Sequence, residues 1–386
     1  MQGLTPETGY LRDLARAWAN QADGAVPAPG GLHSNRFLRL LANQPAMQAL
    51  LPFLDRTFLP ESEQQRIDAA MEVSRRRTTV MLLELERILP ALAEIGCVPV
   101  VLKGGSLALT VYPQPEQRWF ADLDLLVQRS ELPRVYDTLN CLGYRDAETI
   151  CGNEYYEKHH FHRVLVSNQG LYVEVHWALT MPASVYTYDL DTLFGRCLEI
   201  PLGHASFLAP HAGDQILHGI LQNIAGGFSD LRRILDLHLL DAQLDDDERR
   251  RLCARALAAS LRTGLWLEYR LREQILDAPI PGVVDEMCRP APALMRVFDH
   301  LNVAAGCLVQ RARTEEGYGV MLHWLCVPSR QRSRELRRYV FPDECGLLLA
   351  GLGRTRPDSF WQRSWLHLQR ALMAIRLYGR VARAAV

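Results

Sequence analysis

The stretch from Val98 to Ser106, VPVVLKGGS, decides how the middle of this 386-residue chain folds. Its apolar first half is typical of a short buried strand, and the two glycines mark a turn that leads into a helix. A second strand, DLDLLV, is predicted from Asp122 to Val127, and a hairpin is predicted between 155–166 and 171–177. Residues 97–180 therefore predict an α/β unit of alternating strands and helices.

Helical spacing surrounds this unit on both sides. A long helix is predicted from Pro60 to a stop at Gly96, and the segments after Pro210 are helical in pattern. We therefore expect an α+β fold with an N-terminal helical segment and a large C-terminal all-α region. The predicted divisions are a segment or linker at 1–35, helices at 36–96, the α/β core at 97–205 and a helical domain at 206–386.

The composition argues against several classes of protein. The formal charge is −1, from 43 basic and 44 acidic residues, so a nucleic-acid partner is not expected. No apolar run reaches the ~18 residues of a membrane span, and the charged first segment lacks the apolar centre of a signal peptide. The nine cysteines include no C-x-x-C pair, which favours reduced thiols. These features predict a cytoplasmic protein.

Lysine usage is a more specific signal. Only Lys103 and Lys158 are lysine among the 43 basic residues. A retained lysine indicates a position that needs a compact ammonium rather than a planar guanidinium. Lys103 belongs to the junction of the first strand with a helix, where glycines let a phosphate approach the backbone and free N–H groups attract an anion. The nucleotide-binding candidates in this junction, which matches neither G-x-x-x-x-G-K-[ST] nor G-x-G-x-x-G, are Lys103, Gly104, Gly105 and Ser106.

Acidic residues alternate on the predicted strands. Asp122 and Asp124 share one face of the second strand. Two carboxylates this close repel each other unless a cation lies between them, which predicts a metal site. Glu174 and His176 share a face of the last strand in the same way. If the two strands are neighbours, Glu174 completes a three-carboxylate set that can hold two divalent ions for phosphoryl transfer.

Other polar residues give weaker signals. The further candidates for contact with phosphate or substrate are Arg118, Lys158, His160 and His176. A zinc site built from His159, His160 and His162 is not favoured, because no neighbouring cysteine or acid completes a tetrahedral set. The register of the hairpin decides which of these side chains face Glu174.

Taken together, the motifs resemble a known family. The order Lys-Gly-Gly-Ser, then Arg118-x-x-x-Asp122-x-Asp124, then Glu174-x-His176-Trp is similar to uncharacterised bacterial nucleotidyltransferases of the DNA polymerase β-like superfamily. The resemblance covers about residues 60–240. It implies a small mixed sheet flanked by helices, dependence on Mg²⁺ (or Mn²⁺), and an NTP substrate, with ATP expected. The implied reaction transfers a nucleoside monophosphate to an unidentified small-molecule or protein acceptor.

The resemblance also implies roles for single residues. Gly105 and Ser106 would hold the triphosphate, and Asp122 and Asp124 would bind both metal ions. Glu174 would bind the catalytic metal and help to deprotonate the acceptor. Relatives often have a small hydroxyl residue directly before the first acid, where this chain has alanine. That departure removes a hydrogen bond but no metal ligand.

Two other functions stay open at this point. A catalytically silent member would keep the fold as a binding module, although retention of all three acids argues against it. A glycosyltransferase would use Asp-x-Asp to hold a nucleotide sugar. Such enzymes usually place a nucleotide-binding α/β region before that motif, whereas the preceding residues here are helical in pattern.

Overall fold

A seven-stranded sheet forms the centre of the described chain, with the spatial order β3-β4-β5-β2-β1-β7-β6. The computed structural model describes residues 4–147, 157–182, 184–315 and 317–341, together with 367–368 and 370–372. β1 pairs antiparallel with β2 and parallel with β7, and β2 pairs parallel with β5, so the sheet is mixed. The strands are β1 Val100–Leu102, β2 Asp122–Leu126, β3 Tyr144–Asp146, β4 His162–Ser167, β5 Tyr172–His176, β6 Leu198–Leu202 and β7 Ala205–Ala209.

Helices precede, interrupt and follow the sheet, which confirms the predicted α+β class. Those up to the end of the sheet are α1 Pro6–Ala19, α2 Ser34–Ala42, α3 Met47–Leu50, α4 Glu61–Glu94, α5 Lys103–Thr110, α6 Leu132–Cys141 and α7 Leu190–Phe194. Those of the C-terminal region are α8 Ala212–Ala225, α9 Leu231–Asp241, α10 Asp246–Ala258, α11 Arg262–Leu276, α12 Gly282–Cys288, α13 Pro292–Leu301, α14 Val303–Leu308, α15 Arg311–Thr314, α16 Tyr318–Cys326 and α17 Arg332–Val340.

The two faces of the sheet differ because successive side chains of a strand point to opposite sides. The apolar face consists of Val101, Leu123, Leu125, Val173 and Val175, all fully buried in one core with side chains of α4 and α6. The polar face consists of Asp122, Asp124, His162, Glu174 and His176, by the register of β2, β4 and β5. Apolar residues of this second face, such as Leu126, join a separate core with α8. The sheet therefore separates two hydrophobic cores.

The junction after β1 differs from the prediction. The segment Lys103–Ser106 was expected as a turn, but it is the first turn of α5. Lys103 has φ +48°, a left-handed conformation that is uncommon for a residue with a side chain. Leu102 at the N-cap makes no side-chain hydrogen bond, so no side chain of the cap satisfies the first N–H groups of α5.

Several elements go beyond the sequence prediction. β3, β6 and β7 were not predicted, and β6 contains Pro201, which weakens a strand signal because proline lacks an N–H. As β6 lies at the edge of the sheet, the missing donor is tolerated. The predicted strand at 155–166 begins only at His162, and 148–156 lie outside the described residues.

The C-terminal helices also differ in detail. The spacing over 246–276 predicts one helix, whereas the structure has α10 and α11 with Ser260 at φ +65° between them. The helix predicted over 359–385 falls almost entirely outside the described residues. Within the described part of the chain, no helix has both the length and the apolar content needed to cross a bilayer.

The N-terminal helix packs on the C-terminal region. Tyr10 and Leu14 of α1 are buried in the same core as α8, α9 and α11. Arg16 donates to the carbonyl oxygen of Ile275 at 3.1 Å and to Asp277 Oδ1 at 2.7 Å. Helical segments from both ends of the chain thus build one layer over the polar face.

Candidate active site

Three carboxylates lie on the polar face of the sheet. β2 and β5 are parallel neighbours, as the three-carboxylate hypothesis requires, and Asp124 is the register partner of Glu174. Asp122 lies two residues before Asp124 on the same face, opposite Tyr172. Asp124 is almost completely buried, whereas Glu174 retains 19% of its side-chain exposure. The site therefore concentrates negative charge in the first half of β2.

The ammonium group of Lys103 lies between two of these acids. Its Nζ donates to Asp124 Oδ1 at 2.5 Å and to Glu174 Oε2 at 3.4 Å. The left-handed backbone of Lys103 starts α5 beside β2, because Leu102 pairs with Asp124 in the β1–β2 register. The predicted nucleotide-binding lysine is thus brought directly to the predicted metal ligands.

His176 supports the same pair of acids from the end of β5. Its side chain is fully buried, and its Nε2 donates to Asp124 Oδ1 at 2.9 Å. The same nitrogen is 3.3 Å from Glu174 Oε2. An imidazole at these distances can hold a carboxylate in one orientation. The predicted contact of His176 with substrate stays a prediction.

The electrostatics of the acids differ from one residue to the next. Burial, with added repulsion from Asp124 and Glu174, raises the pKa of Asp122 to about 6. Burial acts in the same direction on Glu174, but the hydrogen bond from His176 and the charge of Lys103 outweigh it and lower its pKa. The surroundings of Asp122 thus disfavour its negative charge, and a nearby divalent cation would favour that charge.

The oxygen atoms of Asp122, Asp124 and Glu174, which share the polar face, are the hard ligands that Mg²⁺ and Mn²⁺ prefer. The described ligand atoms that lie close enough together to hold one metal ion belong to His162, Glu174 and His176. One such atom from each of these three residues lies within 4.8 Å of the others. Imidazole nitrogens favour transition metals over Mg²⁺. His162 was considered in the sequence only with His159 and His160, because the pairing of His162 with His176 across β4 and β5 is a property of the register.

The glycines of α5 serve close packing. A Cβ on Gly104 would lie 2.3 Å from Cβ of Phe120, and a Cβ on Gly105 would lie 3.1 Å from Val101 Cγ1. Ser106 is fully buried, and its Oγ has no hydrogen-bond partner within the described residues. The predicted contact of Gly105 and Ser106 with a triphosphate stays a prediction. The parts of α5 that line the neighbouring cavity are Lys103 and Gly104.

A cavity of about 240 Å³ lies between the polar face and the C-terminal helices. Its sheet-side lining includes Lys103, Gly104, Asp122 and Asp124. Its helical lining includes His218 and Gln222 of α8, Arg232, Arg233 and Asp236 of α9, and Glu268 of α11. Glu268 is 2% exposed, and its Oε2 lacks a partner within the described chain. Burial raises the pKa of Glu268 to about 8, so that it is a neutral carboxylic acid near neutral pH.

Arg118 lines the cavity but is already paired. Its Nε and Nη2 contact the two carboxylate oxygens of Asp236 at 2.7 and 2.9 Å, and both side chains are buried. Tyr112 donates to the same carboxylate at 2.8 Å. Arg232, one turn before Asp236 on α9, instead contacts Asp230 and the carbonyl oxygen of Trp119. The predicted phosphate contact of Arg118 stays a prediction, because a phosphate would have to share this guanidinium with Asp236.

The remaining candidates lie farther along the polar edge. His160 stacks on Phe161, with ring centroids 4.7 Å apart, and its ring meets His162 edge to face. Lys158 is exposed. Neither residue belongs to the described lining of the cavity. Their predicted contacts with substrate remain predictions.

A mixed sheet with paired acids on one strand, a third acid on its parallel neighbour, and a helix that starts beside them defines the nucleotidyltransferase class. A family model described as "Uncharacterised nucleotidyltransferase" matches residues 33–277. The chain belongs to this family. None of the curated proteins matches the sequence.

The match extends the predicted resemblance on both sides. It includes α2, the long helix α4 and the C-terminal helices α8 to α11, of which α8, α9 and α11 line the cavity, in addition to the sheet. The family assignment makes the protein a transferase of the nucleotidyl type, with a nucleotide as substrate.

Proposed function

We propose that the protein transfers a nucleoside monophosphate from ATP to a hydroxyl-bearing acceptor, with Mg²⁺ or Mn²⁺ as cofactor. One observation carries the proposal: Asp124 and Glu174 are register partners on parallel strands, with Asp122 on the same face. This brings carboxylates from two distant strands of the sequence onto one face of the sheet beside the start of α5. Such a set suits in-line transfer of a phosphoryl group.

The nucleotide is assigned to the start of α5. The uncapped N–H groups of this helix favour an anion. Gly104 lines the cavity at this point, and Lys103 adds a positive charge at the same place. The triphosphate would thus lie across the mouth of the carboxylate cluster, with the base and ribose in the cavity.

The metal ions are assigned to the three acids. Asp122 and Asp124 would bind both ions and Glu174 the one next to the acceptor. Their fit rests on the oxygen donor set and on the raised pKa of Asp122, whose negative charge is disfavoured by burial and by repulsion from Asp124 and Glu174. When bound, the ions neutralise charge that develops on the phosphoryl oxygens.

The protein residues then orient the reactants. The acceptor oxygen attacks the α-phosphorus, the bond from that phosphorus to the bridging oxygen breaks, and pyrophosphate leaves with the bonding electrons. We assign to Glu174 the oxygen that takes the acceptor proton. His176 keeps Asp124 and Glu174 in position through its 2.9 and 3.3 Å contacts.

The acceptor is assigned to the helical side of the cavity. There the neutral acid Glu268 and the amide of Gln222 offer hydrogen bonds, and Arg232 and Arg233 offer positive charge. This mixture fits a small polar acceptor or an exposed side chain of a protein. The C-terminal helices would therefore set acceptor choice, while the sheet performs the chemistry.

The test is an incubation of the purified protein with Mg²⁺ or Mn²⁺ and ATP labelled in the α-phosphate. Label in an acceptor, or in the protein itself, is expected with wild type and is expected to fall at least about 100-fold in Asp124→Asn. Equal labelling by the two proteins would contradict the proposal. Binding of ATP with metal but no labelled product would favour the silent binding module, and turnover of a nucleotide sugar without NTP use would favour the glycosyltransferase.

A further inference from the structure

The Lys103 ammonium lies where the proposed metal ions would bind. It contacts Asp124 at 2.5 Å and Glu174 at 3.4 Å, so it occupies space between two of the proposed metal ligands. A cation bound to both acids would come within a few ångströms of this ammonium. Two positive charges at such a distance repel each other strongly in a buried site. The ammonium and the metal therefore compete for the same carboxylates.

The chemistry of lysine fits this competition. An ammonium is a compact point charge on a flexible stem, whereas a guanidinium is a planar fork that favours two fixed bonds. The chain uses lysine at only two positions among 43 basic residues. At one of them it places the side chain that most closely imitates a metal ion in size and charge. Lys103 also keeps 26% of its side-chain exposure, so it has room to move toward the cavity.

The position of Lys103 at the start of α5 would also let its ammonium contact a bound phosphate. Lys103 is the first residue of α5 and lines the cavity. A phosphate at the start of this helix would thus lie within reach of the same flexible side chain. The left-handed φ of +48° fixes where the stem leaves the backbone. One side chain can therefore reach either the carboxylates or the proposed phosphate position.

We propose that Lys103 is a tethered counter-ion that holds Asp124 and Glu174 together before the metal arrives and moves to the triphosphate when metal and nucleotide bind. This inference rests on the proposed function for its second half, because the phosphate is the destination. Its first half, the competition with the metal, stands on the geometry of Lys103 alone. No other lysine or arginine among the described residues forms an ion pair with either acid.

The experiment measures the affinity of Mn²⁺ alone, by electron paramagnetic resonance of the free ion, and then the affinity of ATP with Mn²⁺ present. In Lys103→Met, Mn²⁺ alone is expected to bind at least about tenfold tighter than to wild type, because the competing charge is gone. The affinity of the Mn²⁺–ATP complex is expected to fall at least about tenfold, because a phosphate contact is lost. The matched control is Lys158→Met, which removes the only other lysine and should leave the Mn²⁺ affinity unchanged.

Lys103→Met is expected to bind Mn²⁺ alone more tightly and the Mn²⁺–ATP complex more weakly, and a general loss of structure would not produce these opposite changes. A variant that merely loses its fold would bind both ligands more weakly, and Lys103→Gln, which keeps a hydrogen-bond donor without the charge, would then replace Lys103→Met. Mn²⁺ binding that is equal to or weaker than wild type in a folded Lys103 variant would overturn the inference. An equal gain in Lys158→Met would also overturn it, because net charge alone would then explain the effect. If transfer of label fails in every assay while the Mn²⁺ gain is seen, the proposed function fails and the competition stands.

Discussion

Asp124 and Leu125 are neighbours on β2 and are almost equally buried, at 2% and 0% exposure. They point to opposite faces of the sheet. Leu125 packs into the core formed with α4 and α6, whereas Asp124 meets only charged and polar partners, namely Lys103 and His176, in the contacts described. Burial alone therefore does not distinguish residues of the apolar core from residues of the candidate active site. What distinguishes the polar face is that its buried residues include charged groups, which meet charged and polar partners.

The largest expected effect separates these two neighbours. Asp124→Asn keeps the shape of the side chain but removes a proposed metal ligand, so turnover should fall about 1,000-fold with a smaller change in stability. Leu125→Ala should lower the free energy of unfolding by about 2–5 kcal/mol while the folded protein keeps its turnover. Urea denaturation and the labelled-ATP assay, both run on both variants, check the pair. A Leu125→Ala protein that is folded but as inactive as Asp124→Asn would contradict the proposal that the apolar face serves stability and the polar face serves turnover.

The second effect concerns the ion pair in the wall of the cavity. Arg118→Met leaves the buried Asp236 carboxylate without its cation, so the free energy of unfolding should fall by about 3–5 kcal/mol. The double variant Arg118→Met/Asp236→Asn removes both charges and should recover part of this loss. Chemical denaturation of the single and double variants measures the difference. An unchanged stability in Arg118→Met would show that the pair does not hold α9 against the sheet.

The third effect concerns the close approach of α5 to the sheet. Gly104→Ala places a Cβ 2.3 Å from Cβ of Phe120, so it should destabilise the protein by about 1–3 kcal/mol. Gly105→Ala, with a nearest contact of 3.1 Å to the end of a valine side chain, should cost less. Thermal unfolding of the two variants side by side gives the ranking. A reversed ranking would mean that α5 approaches Phe120 less closely than described.

The two strands that carry the acids could be predicted from the sequence, because the signals for them come from residues close together in the chain. The alternation around Asp122 predicted β2 within one residue of its end, and Glu174-Val-His176 predicted β5 and the shared face of its polar residues. These signals depend on residues adjacent in the chain. The start of α5 was mistaken for a turn, because two glycines suggest a loop and nothing local shows that a helix can begin at a left-handed lysine.

What the sequence could not provide is long-range pairing. The partnership of Asp124 with Glu174 joins positions 50 residues apart, and the pairing of His162 with His176 depends on a register that one residue of slip would reverse. The same limit hid the Arg118–Asp236 pair, which joins a loop to a helix of another region. Local patterns within α9 contain no information on partners outside the helix.

A further expected effect is a pH dependence on the helical side of the cavity. The pKa of Glu268 is about 8 in the folded protein and about 4.3 in an unfolded chain. The folded state therefore holds a proton that the unfolded state has released, and stability should fall as pH rises from about 5 to 8, by up to about 1.4 kcal/mol per pH unit. Glu268→Gln should lack this component. Denaturation of both proteins at pH 6 and pH 8 checks it, and parallel pH dependences would contradict the buried neutral acid.

The most direct test of the central claim, that the polar face gathers carboxylates to hold divalent cations with a nucleotide, is Mn²⁺ binding in the presence of a non-hydrolysable ATP analogue. Wild type should bind Mn²⁺ with the analogue, and Asp122→Asn/Asp124→Asn should lose at least about 100-fold in Mn²⁺ affinity while circular dichroism stays unchanged. Equal Mn²⁺ affinity in the folded double variant would contradict the account.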